Sequence, residues 1–312
     1  VGGGPGGDGG LDGDERISIL FYDIQNDYFQ SQTGGVLGYF WGKDAYTQAD
    51  LDDWGFDLKS NEMEIFYIDA HFTDFWQDGI VSTLTHEYQH MIHFAQKAMQ
   101  GLSSPPWFNE MLSMVAEDYL SETLGTSLYS SHPSGRIADY NGYYHLSGIV
   151  DWLAGSEVYH SYASAYLFGG FLSRNYGGAE LVNQLSSNDQ VGIGSINDAL
   201  SFAGYTETFT DVVAEYAKLH VYPTGHPDVE HDYSGGTDAF GAISYTLPTF
   251  DLFDIGEGPR VFTVGTDVVS EIRPYGFQVW SQGSWQNLVS DDLTVDLARP
   301  SNDSVQLYLM IK

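Results

Sequence analysis

Two histidines four residues apart, His86 and His90, stand in the run His86-Glu87-Tyr88-Gln89-His90. On a helix this spacing puts both imidazoles on one face, about one turn apart. A zinc ion takes about four ligands, and a catalytic site leaves one of these positions to water. Two imidazoles from one helix are therefore half a site, and a third ligand must come from another element. Glu110, in Trp107-Phe108-Asn109-Glu110, lies twenty residues beyond His90 and past a Pro105-Pro106 turn. If the segment after the prolines is a second helix packed against the first, Glu110 returns to the histidine pair. Two imidazoles and one carboxylate fit Zn2+, and zinc lowers the pKa of its water to about 7. Glu87, beside the first histidine, is placed to take a proton from the attacking water and pass it to a leaving amine. This chemistry is metal-assisted hydrolysis.

The elements that must position these residues are legible as hydrophobic patterns. Three β-rich runs precede the motif: Ile17 to Tyr22, Val36 to Trp41 and Ile65 to Ile68. The third ends at Asp69, just before the motif segment, and is expected to be an edge strand lining a cleft where an extended peptide can pair. Asp74 to Met99 reads as the zinc helix, with Ile80, Leu84, Met91, Ala95 and Ala98 near helical spacing and Gly101 as its stop. A second helix is expected from Trp107 to Leu120. Further helices are expected from Gly148, from Ser161 to Tyr176, from Glu180, from Ser195 and from Thr208 to His220. Past Gly235-Gly236 the pattern turns to short alternating runs, including Val261 to Val264 and Ser304 to Ile311. The expected division is a glycine-rich leader at 1–15, a catalytic domain at 16–234 and a β-rich, sandwich-like accessory domain at 235–312.

Composition narrows the partners. The 312 residues carry 43 acids against 11 bases, a formal charge of −32. A phosphate backbone needs a basic surface, so nucleic acid is excluded as a partner, and anionic membranes repel such a chain. No apolar run approaches the eighteen residues a membrane span requires. Cysteine is absent, which rules out disulfides and thiol catalysis and favours a bacterial exported protein over an animal secretory one. The chain starts at Val1 without methionine and reads as a mature or trimmed form. Acidic loops are candidate Ca2+ ligands; Asp8, Asp12, Asp14 and Glu15 form one such cluster, for which a solvated tail is the favoured reading.

The spacing also discriminates among zinc enzymes. A metzincin needs glycine three residues and histidine six residues after His90, where this chain has His93 and Gln96. His93 is seven residues from His86, about 10.5 Å along a helix axis, too far to share its metal. It is expected to pack behind the site.

The motif with Trp107-Phe108-Asn109-Glu110 resembles the gluzincins, the clan that includes thermolysin and the zinc aminopeptidases. The narrower similarity is to the hyicolysin family of bacterial neutral metallopeptidases. Gly38-Tyr39-Phe40, Ser60-Asn61-Glu62, Phe66-Tyr67-Ile68-Asp69 and Ser161 to Phe168 support that assignment. The resemblance spans roughly residues 17 to 222. It implies an α+β, thermolysin-like catalytic fold with a small N-terminal mixed sheet and a helical lower lobe. It also implies zinc ligands His86, His90 and Glu110, with Glu87 as general base. One position departs from the pattern: where thermolysin-like enzymes place an aspartate four residues after the glutamate ligand to orient the first histidine, this chain has Met114. Glu117, one turn further, is the candidate replacement, and a purely structural role fits it equally. For the donor that stabilises the developing oxyanion, aminopeptidases of the clan imply a tyrosine heading a later helix, a place filled by Tyr162. Tyr166 is the alternative tyrosine; the histidine used by thermolysin leaves His145 and His160 as further candidates.

The expectation is a secreted or cell-surface zinc endopeptidase acting on proteins or peptides. A zinc aminopeptidase is its nearest rival. No glycine-rich exopeptidase motif precedes the zinc helix, where Asp69-Ala70-His71-Phe72 stands. An adhesin that keeps the protease scaffold has no use for Glu87.

Overall fold

The structure is a computed structural model and describes residues 10–24, 35–74, 76–126, 132–263 and 272–281. Most of the expected leader and the strand expected at 304–311 lie outside the described residues, as does Asp8 of the acidic group. Within them, the fold mixes a helical body with small sheets.

Strands β1 (Ser18–Tyr22), β2 (Gly38–Phe40) and β3 (Ile65–Asp69) form one sheet in the order β1-β3-β2, with β1 parallel and β2 antiparallel to β3. Every residue of β3 is buried. It is the central strand, contrary to the expected edge position, and its continuous apolar run fits a strand covered on both faces. The edge beside the motif helix is β2. Between β2 and β3 comes a short helix α1 (Gln48–Asp53), opened by a Thr47/Asp50 capping box.

Helix α2 (Gln77–Gln96) carries the histidine motif. Pro106 occupies the first turn of α3 (Pro106–Leu124), where its missing N–H costs no hydrogen bond, and Gly125 closes α3 in the left-handed region at φ 70°. Helices α4 (His132–Tyr143), α5 (Val158–Asn175), α6 (Gly178–Ser187), α7 (Gly192–Phe202) and α8 (Phe209–Lys218) build the rest of the helical body. The segment from Gly148, expected as a helix, is a turn followed by irregular chain that leads into α5. Helix α4 was not expected. Its sequence, His-Pro-Ser-Gly-Arg-Ile-Ala-Asp-Tyr-Asn-Gly-Tyr, holds few strong helix formers, and its buried Ile137 and Tyr140 join the main core, so tertiary packing holds it.

That core is built from α3 and α5, with Phe108, Met111, Leu112 and Met114 facing Ala165, Leu167, Phe168 and Phe171. The two helices approach closely at Gly169, where an added Cβ would lie 2.6 Å from Met111 Cγ and 2.7 Å from Val115 Cγ2. This contact fixes α5 against the helix that carries Glu110.

The antiparallel hairpin β4 (Gly236–Phe240) and β5 (Ile243–Leu247) packs on α3 through Leu247, Val115 and Tyr119. Phe250 and Leu252 enter the main core. Past the boundary expected at Gly235, the first hairpin and the segment after it thus pack on the helical body. Two further short strands, β6 (Val261–Thr263) and β7 (Val279–Ser281), pair in parallel. The described strands of this region form two separate pairs, short of the expected sandwich.

Buried histidines give the body an acid limit. His220 accepts from the Tyr140 hydroxyl through Nε2 at 2.7 Å, and burial pushes its pKa down to about 3; burial likewise pushes His93 down to about 4. Both are neutral in the fold and free to protonate when unfolded, at about 6.5. Their contribution is complete above pH 6.5 and is lost as pH falls through 6.5 toward 4 and 3, on the order of a few kcal/mol each. Relief of the repulsion among the acids acts in the opposite direction over the same range. The expected result is a shallower loss of urea-unfolding free energy between pH 7 and 4 for His220→Gln than for wild type; identical slopes would refute it.

Candidate metal centre

His86 and His90 project from the same face of α2, their ring centroids 4.6 Å apart. Glu110 sits in the second turn of α3, and the close packing of α3 on α2 brings it to both rings. Its Oε2 lies 3.1 Å from His86 Nε2 and 3.5 Å from His90 Nε2. A tetrahedral ion with bonds of about 2.0–2.1 Å sets its ligand atoms roughly 3.3–3.4 Å apart. The observed separations bracket that value. Among the described residues these three form the one group of His, Asp and Glu side chains with metal-holding geometry, their ligand atoms all within 4.8 Å of one another. Of the acidic residues near the leader, the described Asp12 accepts from the Asp14 amide and Asp14 pairs with Arg16, both at the surface, as a solvated tail requires.

The far side of each ring is held. His86 Nδ1 donates to Glu117 Oε1 at 2.7 Å, and His90 Nδ1 lies 3.1 Å from both Asn109 Oδ1 and Ser113 Oγ. Protons on the Nδ1 atoms leave both Nε2 lone pairs facing the shared point, the tautomer a metal ligand requires. Glu117 is buried and braced from two sides, accepting from Ser82 Oγ at 2.7 Å and from both terminal nitrogens of Arg136, at 3.0 and 3.2 Å. Met114 points into the core, so the carboxylate one turn later reaches His86 instead.

Charge at the centre favours a cation. Burial acts to lower the His86 pKa, but the hydrogen bonds and charges of Glu110 and Glu117 outweigh it and lift the ring to about 10. Burial acts to raise Glu110, yet its hydrogen bonds and charge contacts with His86 and His90 hold it far below the usual carboxylate range. Without a metal, a proton supplies the positive charge between them. The nitrogen, nitrogen and oxygen donors, their spacing and this charge balance all fit zinc.

Glu87, beside His86, is 6 % exposed, and its Oε2 accepts the main-chain N–H of Phe40 at 2.8 Å. Edge strand β2 thus pins the carboxylate beside the triad. Tyr162, in the first turns of α5, reaches the same cleft. Burial and the charges of Glu110 and Glu87 raise its pKa, so its hydroxyl stays a protonated donor facing both carboxylates. The other oxyanion candidates sit elsewhere. Tyr166 is fully buried beneath Arg136, its hydroxyl without a hydrogen-bond partner. His145 packs its ring on Phe262, and His160 pairs with Asp139 at 2.8 Å while stacking on Tyr143. His93 packs edge-on against Phe108 behind the site, as its spacing predicts.

Sequence reasoning missed Arg136, Ser82, Ser113 and the Phe40 amide. The spacing of 110, 113 and 117 already places Ser113 and Glu117 on the Glu110 face of α3. No sequence signal pointed to Arg136, which sits on the unexpected helix. Removal of the Glu117 carboxylate frees the His86 ring and leaves Arg136 unpaired. Glu117→Ala is expected to weaken zinc binding by ~10–100-fold, with Glu117→Asp intermediate, measured by competition with a chromophoric chelator.

These residues lie within a recognisable lineage. The sequence model for Peptidase M30 matches residues 13–251. Neutral metalloprotease ShpI of Staphylococcus hyicus is 30 % identical over 173 residues, covering 52 % of this chain and 36 % of that protein. The chain thus aligns with little more than a third of that relative. It belongs to the peptidase M30 family, a family of metalloproteases.

Proposed function

We propose that the chain is a zinc-dependent endopeptidase of gluzincin type, secreted or held at a bacterial cell surface, acting on proteins or peptides. The observation that carries this reading is the convergence of His86, His90 and Glu110 from two packed helices, with Glu87 pinned beside them. Family membership supports it. The division at Gly235, with an accessory domain beyond it, belongs to the proposal; the described hairpin β4–β5 roots its start on α3. No described helix is long and apolar enough to cross a membrane.

His86, His90 and Glu110 would hold a zinc ion, which when bound would supply Lewis acidity at the cleft. Glu87 accepts the proton of the attacking water and carries it to the leaving amine. Its bond from the Phe40 amide holds one carboxylate oxygen and leaves the other for that transfer. Tyr162 donates to the oxygen that gains charge as the carbonyl is attacked. Glu117, Arg136, Asn109 and Ser113 keep the imidazoles aimed. Strand β2, at the sheet edge beside α2, offers main-chain groups to an extended substrate.

The deciding experiment combines metal analysis with cleavage of casein and of peptides blocked at both ends. One zinc per chain and cleavage of blocked peptides, lost with chelator and restored by zinc, is expected; cleavage confined to free-amine peptides would make it an aminopeptidase. Tyr162→Phe is expected to lower kcat by ~10²-fold with little change in KM, the size associated with removing one oxyanion donor. Wild-type turnover would remove Tyr162 from the mechanism.

A further inference from the structure

Tyr162 carries its hydroxyl at the end of a long side chain, and a donor that swings cannot stay aimed at one oxygen. Among the described residues one aromatic ring meets it. Trp152 packs on it edge to face, with centroids 4.9 Å apart and planes at 67°. Trp152 stands in the irregular chain at 147–154, just before α5. We propose that this chain is a positioning arm for the reaction: Trp152 holds the Tyr162 ring in the cleft, and a turn at 273–276 clamps the arm. The proposal rests on the reading of Tyr162 as oxyanion donor and names the residues that donor needs.

The arm has no helix or strand of its own, so its main-chain groups must find other partners. Ser161, the residue before Tyr162, is 1 % exposed. Its Oγ accepts the Leu153 N–H at 2.9 Å and lies 3.3 Å from Ser147 Oγ. One buried hydroxyl thus ties both ends of the arm to the start of α5, next to the tyrosine that Trp152 touches. Both rings also rest on the main core.

The clamp comes from far along the chain. An added Cβ at Gly148 would lie 1.9 Å from the Pro274 main-chain oxygen, so only glycine lets the two backbones meet there. The Ile149 N–H donates to the Tyr275 oxygen at 3.5 Å. The turn itself is closed by the Gly276 N–H on the Arg273 oxygen at 2.8 Å. Tyr275 holds φ 54° within it, a left-handed value uncommon for tyrosine. Such a value persists where the surroundings over-determine it. Those surroundings are visible: the Tyr275 ring packs on Phe209 at 4.9 Å, and Phe277 packs on His220 at 4.3 Å. The turn is therefore anchored on the helical body at one side and presses on the arm at the other. None of the groups that hold the arm belongs to the metal triad. Disturbing the arm should therefore act on turnover and spare the metal.

The test reads kcat, KM and zinc affinity of the zinc-loaded full chain on a blocked peptide. A displacement of about 1 Å at a catalytic group can cost ~10²-fold. Trp152→Ala is expected to lower kcat by ~10–100-fold with KM and zinc affinity unchanged, and Trp152→Phe, which keeps a ring there, to restore most of the loss. Gly148→Ala drives the turn off the arm and is expected to lower kcat by ~10-fold. In a Tyr162→Phe background neither Trp152→Ala nor Gly148→Ala should lower kcat by more than a further ~2-fold, because the hydroxyl they aim is gone. Wild-type kcat in Trp152→Ala, or losses that multiply in the double variants, overturns the arm and leaves Tyr162 as donor. Wild-type kcat in Gly148→Ala overturns the clamp. If Trp152→Ala does not fold, Gly148→Ala with and without Tyr162→Phe decides by the same comparison. Wild-type turnover in Tyr162→Phe overturns the donor reading itself, and the arm with it.

Discussion

Glu87→Gln is expected to bind one zinc as tightly as wild type and to lose ~10³-fold in kcat/KM on a blocked peptide, within the range for removal of a general base. Glutamine has the same shape and still accepts the Phe40 amide through its carbonyl oxygen, so the cleft stays intact. What it lacks is a site for the water proton. The triad does not include Glu87, so metal content should not move. Zinc titration and steady-state kinetics on the same preparation check both halves. A variant with wild-type turnover would show that the proton leaves by another group. A variant that loses zinc would show that Glu87 helps hold the metal.

The second large effect belongs to Glu110. Its Oε2 is the atom both imidazoles approach, and it sits on the other helix. Glu110→Ala leaves two ligands on one helix, which hold zinc weakly. A structural zinc site is worth about 10–16 kcal/mol over four ligands, so one ligand accounts for ~2.5–4 kcal/mol and zinc affinity should fall by ~10²–10³-fold. At zinc concentrations between the two dissociation constants wild type is loaded and the variant mostly empty, so cleavage is lost there. Glu110→Asp, whose carboxylate stops short of the rings, should recover part of the affinity. Excess zinc should rescue some turnover in both variants, because Glu87 is untouched. If Glu110→Ala binds zinc like wild type, the third ligand lies elsewhere and the geometry described here is not the working site.

Much of this centre was legible before the fold was known. The interval from His86 to His90 sets a shared helix face whatever surrounds it, because helical pitch is a local property. Pro105-Pro106 forces a break, and its position tells where a second helix starts. Glu117 could be nominated because 110 and 117 differ by two turns. The strand runs at 17–22 and 65–68 were equally local signals.

Other features depend on which elements neighbour each other. Nothing in Ile65 to Asp69 tells whether that strand is central or at an edge, since the run reads the same in both places; the parallel partner β1 made it central. Helix α4 lacks strong propensity and exists through its contacts, so Arg136 and its clamp on Glu117 could not be foreseen. Tyr162 and Tyr166 are four residues apart on one helix, yet one reaches the cleft and the other is buried under Arg136. The change of pattern at Gly235 marks strands correctly but says nothing about what they pack on.

By itself the sequence determined the candidate ligand types, their order along the chain and the chemistry proposed for them, because donor identity and helical spacing are properties of the chain. Tertiary structure alone decided that Glu110 meets the imidazoles, which groups aim them, which tyrosine faces the cleft and what shape lies beside it. Those facts arise from contacts between residues distant in sequence, and such contacts exist only once α3 lies packed between α2 and α5.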